Sequence, residues 1–220
     1  PNQQVWYYRG TSEGYNGGNR IFTGIGIKKY VNPYDAKYQN ELLYRQKAEP
    51  AIRYAEILLI YAEALNELGE GASYDIPSWD GSITYTVRRD VEEMKKGIQP
   101  VRIRAGVPDY SPTEYQNQDV FRKKLKRERQ IELFAEGKRY YHRYYDLRRW
   151  KIDAPLEEET LIYGCNMLMD DGHKDLFHTP VAIMSLPVRF VEKSYFWPFS
   201  HEQLQRNKRL TQNPGWTYYD

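Results

Sequence analysis

Hydrophobic and polar positions follow a helical period in two stretches of the 220-residue chain. In the first, from about residue 50 to 68, apolar residues recur every three or four positions, and more of them widen the stripe beyond one face. Gly69 then stands where a glycine commonly ends a helix. The pattern predicts a helix over 50–68 that is buried on several sides. Its small residues Ala55, Ala62 and Ala64 would let a neighbouring helix approach closely.

The second periodic stretch covers about residues 117–150. Phe121, Leu125 and Ile131 would face inward, while Lys, Arg and Glu occupy the other positions. The pattern predicts a helix to about residue 139. Gly137 is expected to interrupt it only weakly, so that residues 140–150 continue or restart the helix.

The other segments show no long period and contain many Gly, Pro, Tyr and Trp residues. Residues 1–40 and 69–116 are predicted to be aromatic loops, the second with one short helix near 87–96. Residues 151–220 are predicted to be irregular, with a short amphipathic segment near 201–205. Loops of such length are usually functional when they are ordered.

Composition adds a hint about function. The chain has 21 Tyr and 5 Trp, and a net charge of only +2. Tyr and Trp combine a flat apolar face with a polar group, which suits a recognition surface. The small net charge provides no global field for nucleic acid or anionic lipid. Cys165 is the only cysteine, so an intrachain disulfide is impossible.

A basic run at residues 122–129 is the best case for nucleic-acid binding, with six cations in eight positions. On a helix these charges wrap around the surface, and three glutamates follow at four-residue steps, at positions 128, 132 and 136. They are expected to pair with Lys124 and Arg129. A solvated, ion-paired helix face is therefore the preferred interpretation.

The sequence gives no support for catalysis. The four histidines have no metal-ligand spacing, and neither a phosphate loop nor a nucleophile elbow occurs, so no metal or cofactor is predicted. Glu132, Glu136 and Asp146 could in principle supply a general acid and a general base. However, they lie beside several arginines, which would keep these carboxylates ionised. A structural lattice of Arg and carboxylates is the preferred interpretation.

Three segments, in order, resemble the C-terminal part of the SusD/RagB family of bacterial surface nutrient-binding lipoproteins. Residues 53–64, RYAEILLIYAEA, resemble the helix signature of that family. Residues 127–139, RERQIELFAEGKR, resemble the second signature, whose closing Asp-Leu-x-Arg-Trp block is matched by residues 146–150. Residues 197–216, with Trp-Pro and later Gln-Asn-Pro-Gly-Trp, resemble the closing segment.

Two departures from the family pattern affect local packing. Residues 140–143 insert roughly one helical turn before the Asp, and Phe199-Ser200 stand where the family usually has Ile-Pro. The resemblance also implies a missing N-terminal half, which carries the lipidated cysteine and most of the helical repeats. The chain is accordingly expected to be one C-terminal piece, residues 1–220, of a SusD-like domain.

The resemblance implies a mainly α fold, with tetratricopeptide-like helix pairs packed against a loop-rich irregular region. It implies a protein that is not an enzyme, lies on the outer membrane of Bacteroidetes, and delivers glycans, or in some branches peptides, to a SusC-like TonB-dependent transporter. The alternative is a helical scaffold whose loops hold a protein partner and no small ligand.

Two sets of residues follow as hypotheses. The signature residues are expected to hold helices together: Arg53, Glu56, Glu63, Arg129, Glu132, Glu136, Arg139 and Asp146. Ligand binding is expected on the aromatic loops, because pyranose C–H faces stack on aromatic rings. The candidates are Trp6, Tyr7, Tyr8 and Tyr15 in the first loop, and Tyr74, Trp79 and Tyr85 in the second.

Overall fold

The computed structural model describes residues 23–27, 29, 32, 35–38, 41–43, 45, 50–136, 142–151, 161–167, 171–183 and 191–217. The chain divides into two compact units. One unit is Asn32–Tyr144, and the other combines Pro1–Val31 with Tyr145–Asp220. The prediction of a mainly helical fold is confirmed, whereas tetratricopeptide-like pairing of the helices stays a prediction.

In the unit Asn32–Tyr144, short strands β1 (Ala36–Tyr38) and β2 (Glu41–Leu43) pair antiparallel. Helix α1 (Tyr54–Glu67) follows, and then the antiparallel strands β3 (Ser73–Pro77) and β4 (Thr84–Arg88). Helices α2 (Val91–Arg104), α3 (Pro112–Gln116) and α4 (Gln118–Glu132) complete the described part of this unit.

The ends of these helices follow local chemistry. Gly69 has a φ of +84°, so the predicted glycine stop after α1 is confirmed. The Asp90 side chain accepts a hydrogen bond from the Glu93 N–H at the start of α2. The Asn117 side chain does the same for the Val120 N–H at the start of α4. Side-chain caps of this kind fix where a helix begins.

The core of this unit lies where α1, α2 and α4 meet, with α3 covering one side. Its buried members are Leu59, Ala62, Leu65, Met94, Ile98, Val101, Tyr115, Phe121 and Leu125. Gly97 of α2 faces α1 so closely that a Cβ atom there would lie 2.6 Å from the Leu58 carbonyl oxygen and 2.8 Å from the Ala62 Cβ. The predicted close approach at Ala62 is confirmed, while Ala64 is exposed.

The prediction of an aromatic loop over 69–116 needs correction, because the segment holds β3, β4, α2 and α3. The short helix expected near 87–96 begins at Val91 and continues to Arg104. Pro100 lies inside α2, on its exposed side. Helix α2 persists because it buries Met94, Ile98 and Val101 at helical spacing.

The helix expected over 117–139 is also shorter than predicted. Helix α4 ends at Glu132, and Ala135 has a left-handed φ of +60°, which no α-helix accommodates. A new helix, α5 (His142–Trp150), follows. Of the two outcomes expected for residues 140–150, continuation or restart, the structure has the restart. Gly137 lies outside the described residues.

The described part of the second unit contains α5 from Tyr145 onwards, strands β5 (Tyr163–Cys165) and β6 (Pro180–Ala182), which pair antiparallel, and two 3-10 helices at Asp171–His178 and Glu192–Tyr195. Helix α6 (His201–Arg206) matches the amphipathic segment expected near 201–205 and buries Leu204. Across the described residues, none of the helices is long and apolar enough to cross a membrane.

Candidate functional site

The β3–β4 hairpin carries three of the predicted binding residues. Tyr74 pairs with Val87 and Ile76 pairs with Tyr85, so these four side chains lie on one face of the ribbon. The other face is polar, and there the Thr86 hydroxyl donates to the Asp75 carboxylate at 2.7 Å. Diagonal neighbours on one face of a hairpin lie within about 7–8 Å, which brings Tyr74 and Tyr85 together. The hairpin therefore has one aromatic face.

That aromatic face is open to solvent. Tyr74 and Tyr85 are 50% and 54% exposed, and Ile76 on the same face is 48% exposed. Trp79, at the tip between the strands, is 99% exposed. The hairpin thus leaves four large apolar side chains outside the core of the unit.

The tip that bears Trp79 is held in place by hydrogen bonds. The backbone closes it, with the Ser78 N–H donating to the Ile83 oxygen at 2.7 Å and the Gly81 N–H to the Ser78 oxygen at 2.9 Å. The Asp80 carboxylate accepts from the hydroxyls of Ser78 and Ser82 at 2.6 and 2.7 Å, and from the Ser82 N–H. These hydrogen bonds, the one from Ser78 foremost, lower the pKa of Asp80 to about 2.

The base of the hairpin is fastened to the helices by Arg89. Its guanidinium donates to the backbone oxygens of Tyr115 and Gln116 and to the Asn66 side chain. Asn66 lies on α1, and the other two residues lie on α3. One side chain thus ties the end of β4 to two helices.

The first predicted group of binding residues, Trp6, Tyr7, Tyr8 and Tyr15, lies outside the described residues. Only Tyr74, Trp79 and Tyr85 can therefore be placed, and the hairpin brings these three together. Their role in binding a ligand stays a prediction.

The signature residues of the first two segments meet where α1 begins and α4 ends. The Arg53 guanidinium lies 2.8 Å from Glu132 and 2.7 Å from Glu136, and also donates to the Glu132 backbone oxygen. Arg129 and Glu63 lie 3.9 Å apart, and both are largely buried. These contacts link α1 to α4, and the structural role expected of the signature residues stays a prediction. In α5, Asp146 is buried and pairs with Arg149 at 3.0 Å; Glu56 lies half-buried on α1, and Arg139 is outside the described residues.

The glutamates of the basic run pair differently from the expectation of contacts within one helix. Glu128 is buried and binds Arg102 of α2 at 2.5 Å, and the Tyr110 hydroxyl donates to the same carboxylate. Burial, and then the hydrogen bond to Glu128, raise the pKa of Tyr110 far above its ordinary value. Glu132 binds Arg104 of α2 as well as Arg53. Glu128 and Glu132 of the basic helix thus contact neighbouring elements, while Lys123 and Arg127 are exposed to solvent.

Each of these glutamates is therefore engaged in a contact between elements, with its carboxylate bound by an arginine or by a tyrosine hydroxyl. Within the part of the chain that the structure describes, no group of three or more His, Cys, Asp or Glu side chains is arranged to hold a metal ion.

Side-chain hydrogen bonds hold the closing segment together in the second unit. The Gln212 side chain bonds both the N–H and the oxygen of Phe199, and the Asn213 amide donates to the Trp197 oxygen. The Trp216 indole N–H donates to the backbone oxygens of Lys193 and Phe196. The two amide side chains and the indole therefore hold the backbone of this segment together.

The closing segment also contains an exposed aromatic residue that is not among the predicted binding residues. Trp197 is 73% exposed, although its backbone oxygen is held by Asn213. Like Trp6 and Trp79, Trp197 lies outside the helical patterns of the sequence, directly before Pro198, and this property could have identified it as a candidate.

Comparison with known proteins agrees with the three sequence segments. The model of the SusD family matches residues 1–216. SusD-like protein P2 of Formosa agariphila is 30% identical over 168 residues, which is 75% of this chain and 25% of that protein.

A solved structure described as selenomethionine BT4246 has a TM-score of 0.67 and 23% sequence identity, and the match covers 89% of this chain and 30% of that one. The chain thus spans about a quarter of its curated relative and less than a third of the solved structure. With the family model matching nearly its whole length, the chain belongs to the SusD family of non-catalytic binding proteins, which is associated with glycan binding for nutrient uptake at the cell surface.

Proposed function

We propose that this chain is part of a cell-surface protein that binds oligosaccharide or polysaccharide without cleaving it, and passes it to a SusC-like TonB-dependent transporter in the outer membrane. Family membership supports the class of function. In this proposal a lipidated cysteine, in a part of the protein beyond these 220 residues, anchors it to the membrane. The ligand is a glycan in preference to a peptide, because the placed candidates are aromatic rings.

The observation that carries the proposal is the almost fully exposed ring of Trp79, which sits on a hairpin tip whose backbone is held by hydrogen bonds. Stacking on a sugar ring requires a flat apolar surface, and a backbone that is ordered before binding loses less conformational entropy. Asp80 and the backbone bonds of the tip supply that order.

The test is glycan binding by the complete natural protein, first on an array and then by calorimetry with a bound polysaccharide. Trp79→Ala should weaken binding by about 1–3 kcal/mol, or roughly 5- to 150-fold in Kd, by analogy with stacking on other flat ligands. The matched control is Ile103→Ala, because that side chain is also apolar and exposed but lies on α2, outside the hairpin. Unchanged binding by folded Trp79→Ala would refute the role of the hairpin.

One observation favours the alternative of a protein partner. Ile76 and Ile83 are about half exposed beside the aromatic residues, and aliphatic side chains contribute to protein interfaces more than to sugar stacking. If the hairpin binds protein, Ile76→Ser should weaken capture of the purified SusC-like transporter and leave glycan affinity unchanged. If it binds glycan, Ile76→Ser should have little effect on either measurement, whereas Trp79→Ala lowers glycan affinity.

A further inference from the structure

The charged side chains of the β3–β4 hairpin are negative from its tip almost to its base. Residues 71–87 contain two aspartates, Asp75 and Asp80, and hold no Lys, Arg or His. Both aspartates are exposed. The first cation along the ribbon is Arg88, which pairs in register with Ser73 at the end away from the tip. The hairpin therefore presents its aromatic rings together with negative charge.

Arg88 is too far from the tip to neutralise the charge there. Strands rise about 3.4 Å per residue, so the path from Thr84 to Arg88 spans about 13 Å. The screening length at physiological salt is about 8 Å. The Arg88 guanidinium also has a carboxylate nearby, since it lies 4.0 Å from Asp90. Within residues 71–88, all of which the structure describes, no cation is close enough to offset the charge of Asp80.

Asp80 lies directly beside the exposed ring of Trp79. The Gly81 N–H donates to the Ser78 oxygen at 2.9 Å, which makes Trp79 and Asp80 the two central residues of a tight turn. The Cα atoms of these neighbours are about 3.8 Å apart. A sugar that stacks on the indole therefore also comes close to the Asp80 carboxylate.

The three hydrogen bonds from Ser78 and Ser82 to Asp80 all end at one oxygen of its carboxylate. Oδ1 accepts from the two hydroxyls and from the Ser82 N–H. An ionised carboxylate has about four acceptor positions, so Oδ2 of this exposed residue can accept a hydroxyl from a sugar. The bonds from Ser78, and then those from Ser82, lower the pKa of Asp80 to about 2, so the carboxylate is charged at neutral pH.

We propose that Asp80 is a specificity-determining residue, which makes the hairpin accept uncharged sugars and reject sugars that carry a carboxylate or a sulfate. The inference rests on the proposed function, since it names the class of glycan that binds at Trp79. A neutral sugar donates a hydroxyl to Oδ2. An anionic sugar offers a negative group in place of that hydroxyl, and a like charge about 6 Å away in water weakens binding by roughly threefold.

Polysaccharide pairs that differ in charge alone test this in the complete natural protein. The probes are β-mannan, laminarin and any other neutral glycan bound on the array, each native and with part of its C6 hydroxyls oxidised to carboxylates. Alginate and any other bound uronic-acid glycan are used native and carboxyl-reduced. In calorimetry each neutral form should bind at least about threefold more tightly than its charged counterpart. Raising NaCl from about 0.05 to about 0.5 M should narrow this difference, because salt screens the repulsion.

The outcomes separate this inference from the proposed function. Equal or tighter binding of the charged forms overturns the inference and leaves glycan capture standing. If neither form of any glycan is bound, the proposed function fails and the inference fails with it.

Three variants show whether the preference, defined as the ratio of the two Kd values in a pair, comes from Asp80. Asp80→Asn should reduce the preference by about threefold. The matched control Asp75→Asn removes the same charge about 13 Å along the ribbon from Trp79 and should leave the preference unchanged. Ser78→Ala removes a bond of the tip but keeps the charge, so it should change the affinities of both forms alike. A preference that persists in Asp80→Asn, or disappears in Ser78→Ala, would overturn the inference.

Discussion

The helical core and the β3–β4 hairpin use similar side chains in opposite ways. In the core, Tyr115 and Phe121 are fully buried, with ring centroids 4.9 Å apart. In the hairpin, Tyr74, Trp79 and Tyr85 are half or wholly exposed. The rings of the core stabilise the fold, and those of the hairpin leave their apolar area available to a partner. Aromatic content alone therefore does not distinguish a core from a binding surface, whereas the burial of each ring does.

The largest expected effect on stability comes from removing one buried aromatic ring from the core. Phe121→Ala should reduce the free energy of unfolding by about 3–5 kcal/mol, because a fully buried ring is lost and a cavity is left. Chemical denaturation checks this value. Trp79→Ala in the hairpin should change it by less than about 0.5 kcal/mol. Similar losses for the two variants would break the comparison between core and hairpin.

The buried ion pair between α2 and α4 should come next. Glu128→Gln leaves Arg102 without its counter-charge at a site where both side chains are largely buried, and should cost about 3 kcal/mol. The control Glu92→Gln removes an exposed partner of Lys95 and should cost less than about 1 kcal/mol. A neutral result at Glu128 would mean that water reaches this pair.

The contact between α1 and α2 should tolerate little added volume. Gly97→Val should cost about 1–3 kcal/mol, because the new side chain meets the Leu58 carbonyl oxygen and Ala62 at less than 3 Å. Lys96→Val adds the same side chain to the exposed neighbouring position and should cost well under 1 kcal/mol. Thermal unfolding of both variants gives the comparison, and equal shifts in Tm would show that the helices separate easily.

The smallest effect concerns acid and the hairpin tip. Because the folded pKa of Asp80 is lowered to about 2, the tip bonds are fully present above the ordinary value of about 3.8 and are lost as pH falls through about 2. The NMR signal of the Ser82 amide should stay constant from pH 7 to about pH 5 and move only under stronger acid. Asp80→Asn should lower glycan affinity less than Trp79→Ala does. A shift of the Ser82 signal near pH 6 would contradict this assignment.

Helix α1 could be predicted from sequence because periodicity, length and the Gly69 stop all agree with one structure. The hairpin is harder to predict, because the nearby Gly and Pro residues favour a loop even though Thr84–Arg88 alternates polar and apolar residues. The partner of Glu128 was beyond sequence reasoning, since Arg102 reaches it only through the packing of α2 on α4. The exposure of Trp79 agrees with the reasoning that it had no place in a helical core.

The Arg89 anchor has a consequence for how this protein can diversify. The Arg89 guanidinium holds the point where the hairpin returns to the helices. The seventeen or so residues between Gly71 and Arg89 therefore form a segment that can vary while its attachment to the helices is kept. Evolution, or an engineer, can exchange the ribbon for one of another length or chemistry while the helices keep their sequence. Specificity in such a protein can then change by replacing one short segment of the gene.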